Sequence, residues 1–376
     1  MRPRHLVRLV PLIALTALLA GCAPAAAGPT ASPAASAAGS ATPTPTIAAA
    51  AAPGPRVQLK CADLYSVDAV AKLIEATPTI ADDETTAPAF LDNVAAAQFG
   101  TLLCQWEGPD GTEVSAAEDL AISIAPDSAA AYTTHSAEDL KPGKSAKLFT
   151  STAGDQSGIL CRSYGAIESW CDAQMLVGTY WVSVTVSAAN ASGGPNPTIS
   201  GVADETRGVL SNVAGQLAAA PHPLAEWVAP ATTPPAFCGD ASTAKVRSIF
   251  GVPGYTLAAS SSPYIDAQSI ATIGRTASCT WNDSKKKAES FTIELLAGGS
   301  WVYPGFKTTP YADGEVRTFS SVQIPGTGGA DLGCAESACE STFAVGSTLV
   351  NVDFNDLGSA KNKTALASLA AAIAAS

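Results

Sequence analysis

The chain has 376 residues, a length that suits two or three domains. Only 14% of them are charged, against about 25% in ordinary globular proteins, and the apolar excess is mostly alanine. The net charge of −12 and pI near 4.7 argue against a nucleic-acid binder, which carries a basic stripe. No uncharged apolar run of spanning length lies beyond the N-terminus, which excludes a multispanning transporter.

The first 22 residues read as an export signal. Arg2, Arg4 and Arg8 make a positive leader, and Leu9 to Ala20 is a 12-residue apolar run. Such a run is too short to cross a bilayer core of ~30 Å but fits a secretory signal. It ends in Leu19-Ala20-Gly21-Cys22, small residues followed at once by cysteine. This segment resembles the lipobox of bacterial lipoproteins. The resemblance implies cleavage after Gly21, a diacylglyceryl thioether on Cys22 and an acylated new N-terminus. It also implies a protein anchored to the cell membrane by lipid, facing the extracytoplasmic side. Two or three acyl chains, at ~0.8 kcal/mol per buried methylene, suffice for stable anchoring. Removing residues 1–21 takes Arg2, Arg4 and Arg8 from the 21 basic residues, leaving 18 against 33 acidic ones, a net −15. Anionic lipids repel such a body, so the expected anchor is the lipid and not a basic patch.

Residues 22–56 read as a tether. Between 23 and 55 there are 15 Ala, 7 Pro, 7 Ser or Thr, 3 Gly and one Ile, with no charge. Proline and glycine recur too often for a helix to propagate, and there is too little apolar variety for a core. As a coil the segment spans ~30 Å root-mean-square. Thr42-Pro43-Thr44-Pro45-Thr46 is a context in which threonine accepts O-linked sugar, and it serves equally as a bare spacer.

The remaining cysteines fall into two similar sets. Cys61, Cys104, Cys161 and Cys171 are spaced 43, 57 and 10 apart; Cys238, Cys279, Cys334 and Cys339 are spaced 41, 55 and 5 apart. Other features recur in the same order. A helical stretch follows each first cysteine, Asp63 to Ala76 and Asp240 to Phe250. Each second cysteine lies in Cys-x-Trp, with Trp106 and Trp281 expected in the core. Strands are expected at Leu120 to Ala125 and Phe291 to Leu296, and again at Val177 to Val184 and Val345 to Val352. Alanine-rich amphipathic helices close each set, Gly201 to Ala219 and Ser359 to Ala374. The pattern suggests one domain duplicated, over 57–221 and 236–376, joined by a stiff 222–235 linker in a stretch with five prolines from Pro221 to Pro235. One difference is expected: Ala129 to His135 reads as helical, whereas Gly298 to Gly305 does not.

An even cysteine count in an exported chain implies disulfides. Each set of four allows three pairings. Cys161 and Cys171, and Cys334 and Cys339, are close enough in sequence to face each other across hairpins, which leaves Cys61–Cys104 and Cys238–Cys279. A redox or metal site is disfavoured: there is no Cys-x-x-Cys, and only His135 and His222 remain after residue 21. Strands that follow one another without crossover helices call for antiparallel sheets. The expected fold class is α+β: two tandem, duplicated domains, each a mainly antiparallel sheet with helices packed on one face.

Cys61, Cys104 and Trp106, with Cys238, Cys279 and Trp281, give an early cysteine before a helix and a later Cys-x-Trp strand. With the lipobox and Ala/Pro/Thr tether, this resembles a broad group of actinobacterial cell-envelope lipoproteins of uncharacterised function. It is similar also to the extracytoplasmic sensor domains of actinobacterial serine/threonine kinases, which are disulfide-bonded α+β domains. Since no kinase accompanies it here, that likeness implies a ligand-binding version.

Catalytic motifs are sparse. There is no Gly-x-Ser-x-Gly and no His-Glu-x-x-His. His135 and His222 lie in polar or proline-rich stretches. Gly143-Lys144-Ser145 lacks the leading glycine of a phosphate loop, Gly326 to Asp331 departs from a dinucleotide loop, and Leu357 occupies a ligand position of the calcium-loop-like Asp353 to Gly358. All three read as turns. Lys285-Lys286-Lys287 reads as a solvated hairpin tip. No catalytic residue, metal site or cofactor is expected beyond the diacylglycerol on Cys22. Tyr164, Trp170, Trp301, Tyr303 and Tyr311 lie in turn-like stretches and are the candidate ligand-binding side chains, as stacking platforms for sugar or lipid, with packing around the hairpin disulfides as the alternative. The expected role is a non-enzymatic binding or sensing module of the envelope, whose partners are membrane lipid and an envelope ligand or protein. The alternatives are an envelope interaction scaffold and a carboxylate-dependent hydrolase.

Overall fold

The computed structural model describes residues 53–73, 79–81, 91–107, 119–134, 146–164, 168–189, 198–230, 233–258, 275–283, 290–303, 319–335 and 338–376. The expected signal peptide, Cys22 and nearly all of the tether lie outside the described residues, as do His135, Gly143 to Ser145, Lys285 to Lys287 and Tyr311.

The first half contains strands β1 (Thr79–Ala81), β2 (Leu102–Glu107), β3 (Asp119–Ala125), β4 (Lys147–Thr150), β5 (Gln156–Tyr164), β6 (Glu168–Val177) and β7 (Tyr180–Ala189). The second contains β8 (Tyr255–Leu257), β9 (Thr276–Asp283), β10 (Ser290–Leu296), β11 (Phe319–Val322), β12 (Ala330–Ala335), β13 (Ala338–Val345) and β14 (Thr348–Asn355). All pairings are antiparallel. The first sheet runs β1-β2-β3-β7-β6-β5-β4; the second, started from β8, runs β8-β9-β10-β14-β13-β12-β11, the same order position by position. The molecule is thus α+β with sheet predominant.

Two runs expected to be single strands each open with a hairpin turn and then run as β7 and β14. Val177 pairs with Tyr180, and Val345 with Thr348, so two-residue loops intervene. Gly178 and Gly346 open these loops at φ 58° and 59°, the left-handed conformation that tight hairpin turns demand. The β-forming run simply continues through the turn, which conceals it. The helix expected over Asp63 to Ala76 is interrupted too. It forms α1 (Cys61–Leu64) and α2 (Val67–Leu73), separated where Tyr65 turns extended. Ser66 Oγ then accepts from Ala69 N at 3.2 Å and restarts the helix.

A nine-residue helix, α3 (Leu91–Phe99), precedes β2, and α4 (Ile199–Ala219) closes the first half. In α4 the residues Val202, Val209, Leu210, Val213 and Leu217, on one stripe with buried Thr206, join Ile122, Ile159, Ala173 and Val184 in the first core. Thr198 Oγ1 caps this helix by accepting from Gly201 N at 3.1 Å. In the second half, α5 (Asp240–Phe250) and α6 (Ser359–Ala374) share a core with Trp281, Phe291, Phe343 and Val352. Trp106 and Trp281 are fully buried. Each large apolar side chain so buried contributes roughly 1.5–3 kcal/mol. Among the described residues the expected difference after the second long strand is not found: Gly299–Val302 forms a 3-10 turn, the counterpart of Ala129–Ala131. The left-handed Gly298 (φ 72°) lets the chain enter that turn, a backbone feature that residue preferences alone conceal.

Four disulfides close, Cys61–Cys104, Cys161–Cys171, Cys238–Cys279 and Cys334–Cys339. Cys161 lies opposite Cys171 in the β5–β6 register and Cys334 opposite Cys339 in β12–β13, each pair with Cα atoms 4.0 Å apart. The long loops, 43 and 41 residues, contribute about 4 kcal/mol each on the chain-entropy view. Buried Asn362 fastens α6 to the last of these bonds. Its Nδ2 donates to Asp356 Oδ1 at 2.7 Å and lies 3.5 Å from Cys339 Sγ, and its Oδ1 accepts from Leu357 N at 2.9 Å. Replacing Asn362 with alanine leaves the half-buried Leu357 N–H without its acceptor and opens a gap. We expect a loss of about 2 kcal/mol in unfolding free energy, measured from urea midpoints.

Candidate functional site

The candidate aromatics separate into two groups. Tyr164 and Trp170 are in strands, not turns: Tyr164 ends β5 opposite Glu168, and Trp170 lies in β6 opposite Arg162. The Arg162 guanidinium sits 5.2 Å from the Trp170 ring centroid, a stacked pair on a hairpin surface. Trp301 and Tyr303 belong to the 3-10 turn after β10 and its exit, and are half-buried. They pack with Val302 against a third core in which Val94, Ala95 and Ala96 of α3 and Leu103 of β2 meet Leu296 of β10 and Leu349 of β14. The two sheets therefore join through α3.

This junction is unusual in its polar atoms. Gln98 is fully buried, and neither its amide nitrogen nor its amide oxygen has a partner; the same holds for Thr101 Oγ1, Trp301 Nε1 and Arg275 Nη1. Leaving such groups unpaired costs roughly 1–3 kcal/mol each. Phe99, between Gln98 and Thr101 in sequence, lies between two cations: the guanidinium of Arg56 is 5.8 Å from its ring centroid and that of Arg275 is 5.6 Å. Arg275 pairs through Nη2 with Glu226, leaving Nη1 uncommitted. The junction thus holds N–H donors from Gln98, Trp301 and Arg275, an adaptable hydroxyl on Thr101 and a positive charge. That chemistry suits an acceptor-rich, neutral or anionic ligand group. Sequence reading singled out Trp301 and Tyr303 here and missed Phe99, Gln98, Thr101 and Arg275. The only signal was the helix-favouring Leu91–Phe99 run, whose buried residues are Ala95, Ala96 and Ala97 with Asn93, Val94 and Gln98.

The linker is fastened to the fold. Leu224 N donates to Arg56 O at 2.9 Å, Arg56 Nε to Leu224 O at 2.9 Å, Gln58 Nε2 to His222 O at 2.8 Å and Tyr180 Oη to Pro221 O at 3.0 Å. His222 is an exposed residue of this strap. The Gly326 to Asp331 stretch runs from the β11–β12 turn, in which Thr327 Oγ1 accepts from Gly329 N, into β12. Asp353 to Gly358 leads from β14 into α6. Among the described residues, one trio of potential metal ligands lies close together, Cys334, Cys339 and Asp356. Both of its sulfurs are spent in a disulfide and offer no thiolate.

Comparison with protein-family models, curated proteins and solved structures gave no match. Among the described residues no helix is long and apolar enough to cross a membrane. Four disulfides point to an oxidising, extracytoplasmic compartment.

Burial pushes the Tyr303 hydroxyl up from 10.0 to about 12, and the Asp331 carboxylate adds to the rise. The folded chain holds this proton to higher pH than the unfolded chain. The associated stability is full below pH 10 and falls as the pH climbs from 10 toward 12. Tyr65, Tyr132 and Tyr180 are raised as well, by burial first, so the decline has several sources. A Tyr303→Phe chain should show a shallower decline, read as the difference between urea midpoints at about pH 9 and about pH 11.5.

Proposed function

We propose that this protein is a lipid-anchored, exported binding module of the cell envelope, without catalytic activity, whose ligand occupies the α3 junction. The observation that carries the reading is the buried Gln98 amide with both of its polar atoms unpartnered, among further unpartnered atoms on Thr101, Arg275 and Trp301. A fold gains nothing from an orphaned amide; a ligand that supplies acceptors and a donor gives it a purpose. The lipobox at Leu19 to Cys22 supports the anchor, with diacylglycerol on Cys22 and membrane lipid as one partner. The shared strand order and matching disulfides support descent of the two halves from one duplicated domain. On this reading the domains are 57–221 and 236–376, each with its helices against one sheet face. An interaction scaffold is the second reading, favoured by the exposed apolar strap at Leu224 and Val228.

Two expectations test this. A Cys22→Ala chain should move from the membrane fraction to the soluble fraction and lack the acyl mass on intact-protein spectrometry. The mature chain, taken from its native membrane and analysed by native mass spectrometry, should carry a reproducible extra mass. Gln98→Leu should abolish that mass and raise the stability of the ligand-free protein by about 1–2 kcal/mol, because two unpaired buried atoms disappear. A bare mass for both chains, with Gln98→Leu no more stable, would falsify the ligand assignment.

A further inference from the structure

The strap between the two sheets carries more exposed apolar surface than anything else described. From Pro221 to Ala229 the chain has neither helix nor strand. Leu224 is 51% exposed and Val228 is 88% exposed, with half-buried Trp227 beside Val228; the other exposed large hydrophobic residue among those described is Val67, at 37%. Glu226 is the one acidic residue in this stretch, and Arg275 compensates its charge.

The strap lies where the chain from Cys22 enters the fold. At the end of the expected tether, Arg56 exchanges two hydrogen bonds with Leu224, one from its side chain and one to its backbone carbonyl. The end of the expected tether and the apolar strap therefore meet at one place. A tether of ~30 Å confines the body near the bilayer at an effective concentration on the order of millimolar. At that concentration a few apolar side chains suffice for a populated contact. An interfacial tryptophan flanked by leucine and valine, with no net charge, matches the boundary between headgroups and acyl chains.

We propose that Leu224, Trp227 and Val228 form a membrane-docking edge that lays the body on the bilayer to which Cys22 anchors it. The inference rests on the anchor reading for its effective concentration and is independent of the ligand reading. Net repulsion from the acidic body makes zwitterionic lipid the preferred surface.

The test uses the mature, acylated full chain in phosphatidylcholine vesicles whose acyl chains carry bromine, which quenches tryptophan within the bilayer. Wild-type fluorescence should be quenched, and Trp227→Phe should lose that quenched component. Leu224→Ser/Val228→Ser, which changes only exposed side chains, should keep Trp227 but weaken the contact about tenfold. No quenching in the wild type, or equal quenching in Trp227→Phe, overturns the proposal. So does a concentration-dependent dimer lost in Leu224→Ser/Val228→Ser, which assigns the edge to a second copy. Intact mass separates the two readings. If Cys22 bears no acyl chain, the anchor reading fails, and the same assay at raised lipid concentration still decides the edge: quenching through Trp227 supports it, and its absence overturns it.

Discussion

Arg56 is nearly buried, and a buried guanidinium is stable only where acceptors surround it. It pairs with the Asp127 carboxylate, donates to the carbonyls of Leu224 and Phe99, and stacks on the Phe99 ring. Those contacts tie together the entry of the chain, the loop after β3, the end of α3 and the strap. Its side chain also dictates its neighbour. Gly100 has φ 79°, and a Cβ there would lie 2.3 Å from Arg56 Cγ, so glycine is required twice over, by conformation and by space. Breaking such an arrangement by removing one partner typically costs 3–5 kcal/mol for a buried pair, and somewhat less here because the side chain of Asp127 is 51% exposed.

From that anchorage α3 is held between the sheets. Its small side chains, Val94, Ala95 and Ala96, allow close approach to Leu296 and Leu349 of the other half. Its last turn carries Gln98 and Phe99 into the region of Arg275 and Trp301. Close apolar contact on one part of the helix and unpaired polar atoms at its end are opposed in energy. The first holds the halves together, and the second leaves the same joint short of its best stability. On the proposed ligand reading, binding and the union of the two sheets share one location.

Much of the architecture was legible in the chain. The cysteine count announced disulfide bonding, and the repeated Cys-x-Trp marked two buried tryptophans, Trp106 and Trp281. The helix Asp240–Phe250 stood out as a helical stretch after Cys238, and Ser359–Ala374 as an alanine-rich amphipathic one. What was not legible depended on backbone conformation or distant partners. Gly178 and Gly346 sit within β-favouring runs, so the turns they make look like strand. The Gly299–Val302 turn has no helix-like composition, yet the left-handed Gly298 makes it a counterpart of Ala129–Ala131. Of the site, the half-buried aromatics Trp301 and Tyr303 were found by residue type. Gln98, Thr101 and Arg275 look in sequence like ordinary surface residues, and only the packing of α3 removes them from water.

The identical strand order has a consequence at the sheet borders. Among the described residues the outer strands are β1, β4, β8 and β11, and none exceeds four residues. An open border is a template for another chain, and its hazard grows with the length of unpaired backbone it offers. Lys147 and Thr150, at the two ends of β4, are exposed, which weakens that border further as a template. Proteins confined to a surface meet one another far more often than proteins free in solution. If the proposed anchor confines this chain to a membrane, short described borders on both sheets favour many copies standing side by side without zipping into fibres.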